Sequence, residues 1–175
     1  MIVFFVAFFS LVIPAFGDLN ADVLVDGLNN PWELIFGPDG EMYFTERDGR
    51  IWKIDKSGEA KIIQTFPKSG SIEGGTLGLA LHPDFEKNKK IYVYQTNLEL
   101  DFFQNKVYSF RVDDNTLIEK QLIIDDIPGA PWHDGGRINF GPDGKLYITT
   151  GDAINPGWSQ EVSSLAGKIL RINSD

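Results

Sequence analysis

The chain has 175 residues, 42% of them apolar, with thirteen Phe and no Cys. That length and apolar content suit one domain with a sizeable core and exclude a disordered tail, while the lack of Cys excludes disulfides and thiolate chemistry. A formal charge of −9, from 25 acids against 16 Lys and Arg, argues against a nucleic-acid or anionic-membrane partner, since either needs a basic face.

In chain order the first element is the uncharged run "MIVFFVAFFSLVIPAFG" at residues 1–17. Its apolar stretch, with Ala15 and Gly17 at −3 and −1 to a cut before Asp18, reads as a secretory signal. The run is short for a span and carries Pro14, so no stable membrane span is expected after cleavage, and the mature protein is expected to be exported. Residues 18–175 show strands and turns without a helical period.

Three units can be superposed in sequence, at about residues 29–66, 74–125 and 133–175. The first contains "WELIFGPDGEMYFTERDGRIWKID", the second "TLGLALHPDFEKNKKIYVYQT" and "NKVYSFRVD", the third "GGRINFGPDGKLYITTGD" and "LAGKILRIN". Each has an apolar strand, a Pro-Asp turn, an alternating aromatic strand and a third strand of basic-apolar alternation. Pro38 and Pro142 preset the turn, Asp39 and Asp143 bond back to the backbone, and Gly40 and Gly144 supply its left-handed position. A fourth, outer strand follows in units one ("EAKIIQTF") and two ("LIEKQLIID"), and the second unit is lengthened by an insertion near Leu98–Gln104.

Four antiparallel strands per unit, repeated, predict an all-β fold: a β-propeller, with a β-sandwich as the alternative. The segment "ADVLVDG", residues 21–27, is expected to be an extra strand suited to closing the last blade of a ring. Three blades cannot close a ring, so the chain reads as the N-terminal half of a longer protein, or as a protomer completed by self-association.

Antiparallel geometry sorts the polar residues between the two mouths of the disc. The start of each innermost strand and the end of the second share a mouth, away from the Pro-Asp turn. One mouth therefore gathers Trp32–Glu33, Glu73–Gly74–Gly75, Trp132–His133–Asp134, Glu46–Arg47, Thr96–Asn97 and Asp152. His82 falls beside Pro83 on the other mouth, where it serves the turn. His133 lies within reach of Asp152. A carboxylate orients an imidazole and raises its basicity, which suits a general base, although such a pair can also simply tie two strands together. Glu73 is either a ligand contact or a solvated loop acid. Arg137 is expected to pair with an acid inside its blade, and Trp32 to pack between blades. Trp132 and Trp158, with Trp32, are candidates for an aromatic platform. No metal-ligand spacing, phosphate loop or nucleophile turn is present.

"EGGTLGLALHPDFEKNKKIYVYQT", "HDGGRINFGPDGKLYITTGDA" and "SLAGKILRINSD" together resemble the glucose/sorbosone dehydrogenase family, the soluble quinoprotein aldose dehydrogenases. The resemblance implies an exported six-bladed propeller, of which about three blades are present, that uses pyrroloquinoline quinone (PQQ) and calcium. It implies oxidation of an aldose sugar from hemiacetal to lactone, with electrons passing to an external acceptor. His133 matches the histidine that takes the anomeric proton, and Asp152 an acid close to it. Glu73 and Trp132 fall at positions near the cofactor and substrate. Some members have Gln in place of Glu73, and the best-studied sugar oxidases have Asp in place of Trp132. Most cofactor ligands are expected beyond residue 175. Two other readings remain: a propeller binding module that has lost the quinone, and a calcium-dependent lactone hydrolase.

Overall fold

A computed structural model describes residues 20–174; the predicted signal, residues 1–17, lies outside them. The first sheet holds β1 (Pro31–Phe36), β2 (Met42–Glu46), β3 (Arg50–Ile54) and β4 (Ala60–Thr65), hydrogen-bonded in chain order. The second holds β5 (Thr76–Leu81), β6 (Lys90–Glu99), β7 (Phe102–Asp113) and β8 (Thr116–Pro128), with a one-turn helix α1 (Phe85–Asn88) between β5 and β6. The third holds β9 (Gly135–Phe140), β10 (Leu146–Thr150) and β11 (Ile169–Ile172). All neighbours are antiparallel. This is the all-β blade architecture of a propeller, and the chain holds only part of one.

The turns follow their composition. Asp39 Oδ1 accepts the Glu41 N–H and Asp143 Oδ1 the Lys145 N–H, while Gly40 and Gly144 sit at φ 83° and 72°. In the second sheet Pro83–Asp84 opens α1 instead of a tight turn. There His82 Nδ1 accepts the Asp84 N–H at 3.0 Å and its ring stacks on Tyr92, in keeping with a turn role.

The middle sheet packs on both faces. Leu79, Ile91 and Val93 join Tyr43, Ile51 and Phe66 of the first unit, while Leu77, Tyr92 and Tyr94 join Ile138, Leu146 and Ile148 of the third. That sandwiching explains why "TLGLAL" is buried almost end to end, whereas "GGRINF" alternates. The inner strands β5 and β9 approach so closely that a Cβ on Gly78 would lie 2.2 Å from the Gly136 carbonyl oxygen.

Two expectations need correction. Residues 21–27 form no strand; no ladder partner lies beside them among the described residues, and Asp22 to Val25 line an open cleft with Trp32, Phe44 and Ile54. The insertion expected near Leu98–Gln104 takes the form of a lengthened hairpin, since the β6–β7 ladder continues to Glu99↔Phe102. Arg137 does pair with an acid, yet outside its blade. Its Nη1 meets Glu33 Oε2 of the first unit at 2.7 Å, with the guanidinium 4.2 Å over Trp32. Strand β9 alternates, so Arg137 points away from the buried face of its own sheet and finds its partners across the gap between inner strands.

Candidate active site

Each innermost ladder breaks register near the same mouth: between Pro31 and Leu34, between Thr76 and Leu79, and between Ile148 and Thr150. Such irregularities re-aim side chains next to sites. In the third unit the break lies beside the start of β9, where Thr150 pairs with Gly135, two residues after His133.

The main chain of His133 is left-handed, at φ 63°. Both of its polar groups are held: the N–H donates to Glu73 Oε2 at 2.8 Å, and the carbonyl accepts the Ala153 N–H at 3.2 Å. The ring Nδ1 lies 2.8 Å from Asp152 Oδ1, which also accepts the Ile154 N–H at 3.0 Å. An ionised carboxylate only accepts, so Nδ1 carries the proton and Nε2 keeps a free lone pair. The side chain of His133 is 57% exposed and that of Asp152 24%, so the ring opens onto the mouth while its carboxylate partner is sheltered. The arrangement can accept a proton at Nε2 and stabilise the resulting imidazolium through Asp152.

The loop that carries Asp152 is organised by a lysine. Lys168 Nζ donates to the carbonyls of Trp158, Ser159 and Ala166 at 2.9, 3.0 and 2.8 Å, and Thr150 Oγ1 donates to the Leu165 carbonyl at 2.6 Å. The ammonium acts as a built-in cation at the centre of the loop. Replacing it in Lys168→Met strands three carbonyls and is expected to cost about 2 kcal/mol, the scale of hydrogen bonds to charged groups. Urea denaturation of the full-length protein measures this.

Of the residues predicted from sequence, the structure brings Glu73, His133 and Asp152 together. Trp132 is adjacent and 42% exposed. Trp32 packs against the core shared by the second and third sheets, and Trp158 lies in the 3-10 turn Pro156–Gln160, so the three tryptophans are spread over different surroundings. Sequence reasoning missed Ser71, Tyr94, Asn105 and Lys168 as supports. Tyr94, Asn105 and Lys168 lay in the quoted strand motifs "IYVYQT", "NKVYSFRVD" and "LAGKIL", where each was read only as part of a blade.

The chemistry of the donor set decides what these residues can hold. Among the described residues no group of three or more His, Asp or Glu is arranged for a metal ion. Around His133 stand three acids, Glu73, Asp134 and Asp152, while Arg50 and Lys68 of the same mouth are engaged by Glu46 and Asp48. The group around His133 therefore suits the proton-accepting side of a site, while its three acids offer no positive charge to the carboxylates of an anionic quinone.

The fold and site thus define a class: partial propeller blades with an oriented imidazole–carboxylate pair at one mouth. The sequence matches the family Glucose / Sorbosone dehydrogenase over residues 28–175, and the chain belongs to that family. It is 29% identical to quinoprotein glucose dehydrogenase B of Acinetobacter calcoaceticus, over 90% of this chain and 40% of that protein. An aldose sugar dehydrogenase from Streptomyces coelicolor, solved in its PQQ-bound form, superposes with a TM-score of 0.80 at 35% identity, covering 87% of this chain and 47% of the other. The chain is also 31% identical to the human Hedgehog-interacting protein, over 87% of its own length and 25% of that protein. It thus spans less than half the length of each of these relatives.

Proposed function

We propose that the full-length protein is an exported sugar dehydrogenase of the quinoprotein type, oxidising aldose hemiacetals to lactones. The observation that carries this reading is the 2.8 Å contact between His133 Nδ1 and Asp152 Oδ1 beneath a half-exposed ring, in a chain of this family. His133 Nε2 accepts the proton of the anomeric hydroxyl as the hydride leaves the same carbon, and Asp152 holds the imidazolium that forms. Glu73 keeps the His133 main chain in place through its N–H. Pyrroloquinoline quinone, when bound, supplies the two-electron acceptor; its carboxylates are held by parts of the full-length protein outside the described residues. The electrons would pass on to an external carrier. Residues 1–17 serve as the export signal.

The similarity to the Hedgehog-interacting protein favours a second reading, a non-catalytic extracellular propeller that binds a protein partner. One experiment separates the two. Full-length protein is titrated with the quinone, then given aldoses and a dye acceptor. The enzyme reading expects saturable quinone absorbance and dye reduction with lactone formed; neither signal at saturating quinone supports the binding module.

A further inference from the structure

Asp134 takes no part in the proton transfer, yet its side chain is buried, 2% exposed, one residue from the proposed base. Its Oδ1 accepts the Ala130 N–H and an Asn105 Nδ2 hydrogen, both at 3.0 Å, and its Oδ2 meets Ser71 Oγ at 3.3 Å. Asn105 is itself locked: its second amide hydrogen goes to the Pro128 carbonyl at 2.9 Å, and its Oδ1 accepts from Thr96 Oγ1 at 2.7 Å. The Asp134 carbonyl accepts the Tyr94 hydroxyl at 2.9 Å and the Gly151 N–H at 3.2 Å. Five separate segments thus converge on this one residue.

The fold alone gives a poor reason for such a carboxylate. Burial pushes its pKa upward, the three donors oppose that, and Glu73 nearby adds repulsion. A buried charge is weak as a source of stability when an apolar residue would fill the same volume. Its neighbours explain it better. His133, Gly135 and Gly136 sit at φ 63°, 73° and 104°, so the chain on both sides of Asp134 is left-handed. For His133 that conformation is disfavoured and persists only where the surroundings over-determine it.

We propose that Asp134 is a positioning residue for His133, clamping the left-handed main chain from below so that the imidazole meets Asp152 and leaves Nε2 facing the mouth. The inference rests on the reading of His133 as the base. It assigns the Thr96–Asn105–Asp134 relay to the site as well as to the core, and so ties the β6–β7 hairpin to the orientation of the base.

The test compares Asp134→Asn with Asp134→Ala in the full-length protein. Asn keeps an oxygen for Ala130 and Asn105 and can donate its amide hydrogen to Ser71 Oγ, so it should restore the clamp; Ala cannot. Asp134→Asn is expected to retain kcat within about threefold, and Asp134→Ala to lose about 10²-fold in kcat with KM nearly unchanged, the scale of a 1 Å misplacement. A second readout needs neither quinone nor sugar: the ring 15N shifts of His133, assigned by their loss in His133→Asn. Wild type and Asp134→Asn should show a single tautomer protonated at Nδ1, and Asp134→Ala a mixture. A folded Asp134→Ala with wild-type ring shifts and kcat overturns the proposal. If Asp134→Ala does not fold, Asn105→Ala, which removes one donor and leaves the carboxylate, should show roughly tenfold loss and partial tautomer mixing; unchanged values there overturn it equally. If even the wild type turns over no sugar, the functional reading fails and the ring shifts alone decide whether Asp134 positions His133.

Discussion

Replacing His133 with Asn in the full-length enzyme is expected to lower kcat by about 10²–10⁴-fold, the usual contribution of a positioned general base. Asn is the informative substitution because it tolerates the left-handed main chain that His133 adopts at φ 63° and can still present its N–H to Glu73. Stability and quinone binding should therefore change little, and the loss should appear in turnover. Steady-state kinetics with a dye acceptor, together with a urea midpoint, separate the two effects. Turnover within tenfold of wild type would remove His133 from the chemistry.

The second large effect is expected from one methyl group. A Cβ on Gly151 would lie 1.6 Å from the His133 carbonyl oxygen and 2.3 Å from its carbonyl carbon. Ordinary C···O contact is near 3.3 Å, so Gly151→Ala must push the two segments apart by roughly 1.5 Å. Gly151 immediately precedes Asp152 and donates to the Asp134 carbonyl, so this movement separates the carboxylate from the imidazole. Overpacking of this kind costs about 1–3 kcal/mol, and the displacement of the pair should cost about 10²-fold in kcat. Gly157→Ala is the control, since a Cβ there meets only Asn155 Oδ1 at 3.2 Å. Equal turnover in the two variants would mean that the close approach at Gly151 does not govern the pair.

Much of the fold is legible in the sequence because its signals are local. Pro-Asp-Gly turns set the hairpins at residues 38–40 and 142–144, and the aromatic runs "MYFTE" and "LYITT" that follow them mark the second strand of each sheet. The pairing of His133 with Asp152 followed from antiparallel geometry alone, since the start of one strand and the end of the next must share a mouth. What could not be read depends on contacts between distant segments. Asp134 meets Ser71 across 63 residues and Asn105 across 29, and no local pattern carries that information. The partner of Arg137 lies 104 residues away, on another sheet, so the expectation of an acid within its own blade was reasonable and misplaced. Residues 21–27 show the converse. Their alternation is strand-like, but a strand exists only where a neighbouring backbone offers its hydrogen bonds, and none does among the described residues.

Glu73 has one role that does not depend on a cofactor. Placed by resemblance near the cofactor, it is found accepting the main-chain N–H of the base. A Gln at this position could accept the same bond through its oxygen, which accounts physically for Glu here in a family where some members carry Gln.

The most direct measurement is a crystal structure of the full-length protein with the quinone and an aldose bound. The account predicts the anomeric hydroxyl oxygen at about 2.6–3.2 Å from His133 Nε2, with the Nδ1–Asp152 contact retained. A sugar seated away from His133, or an imidazole turned off Asp152 with the substrate in place, would contradict it.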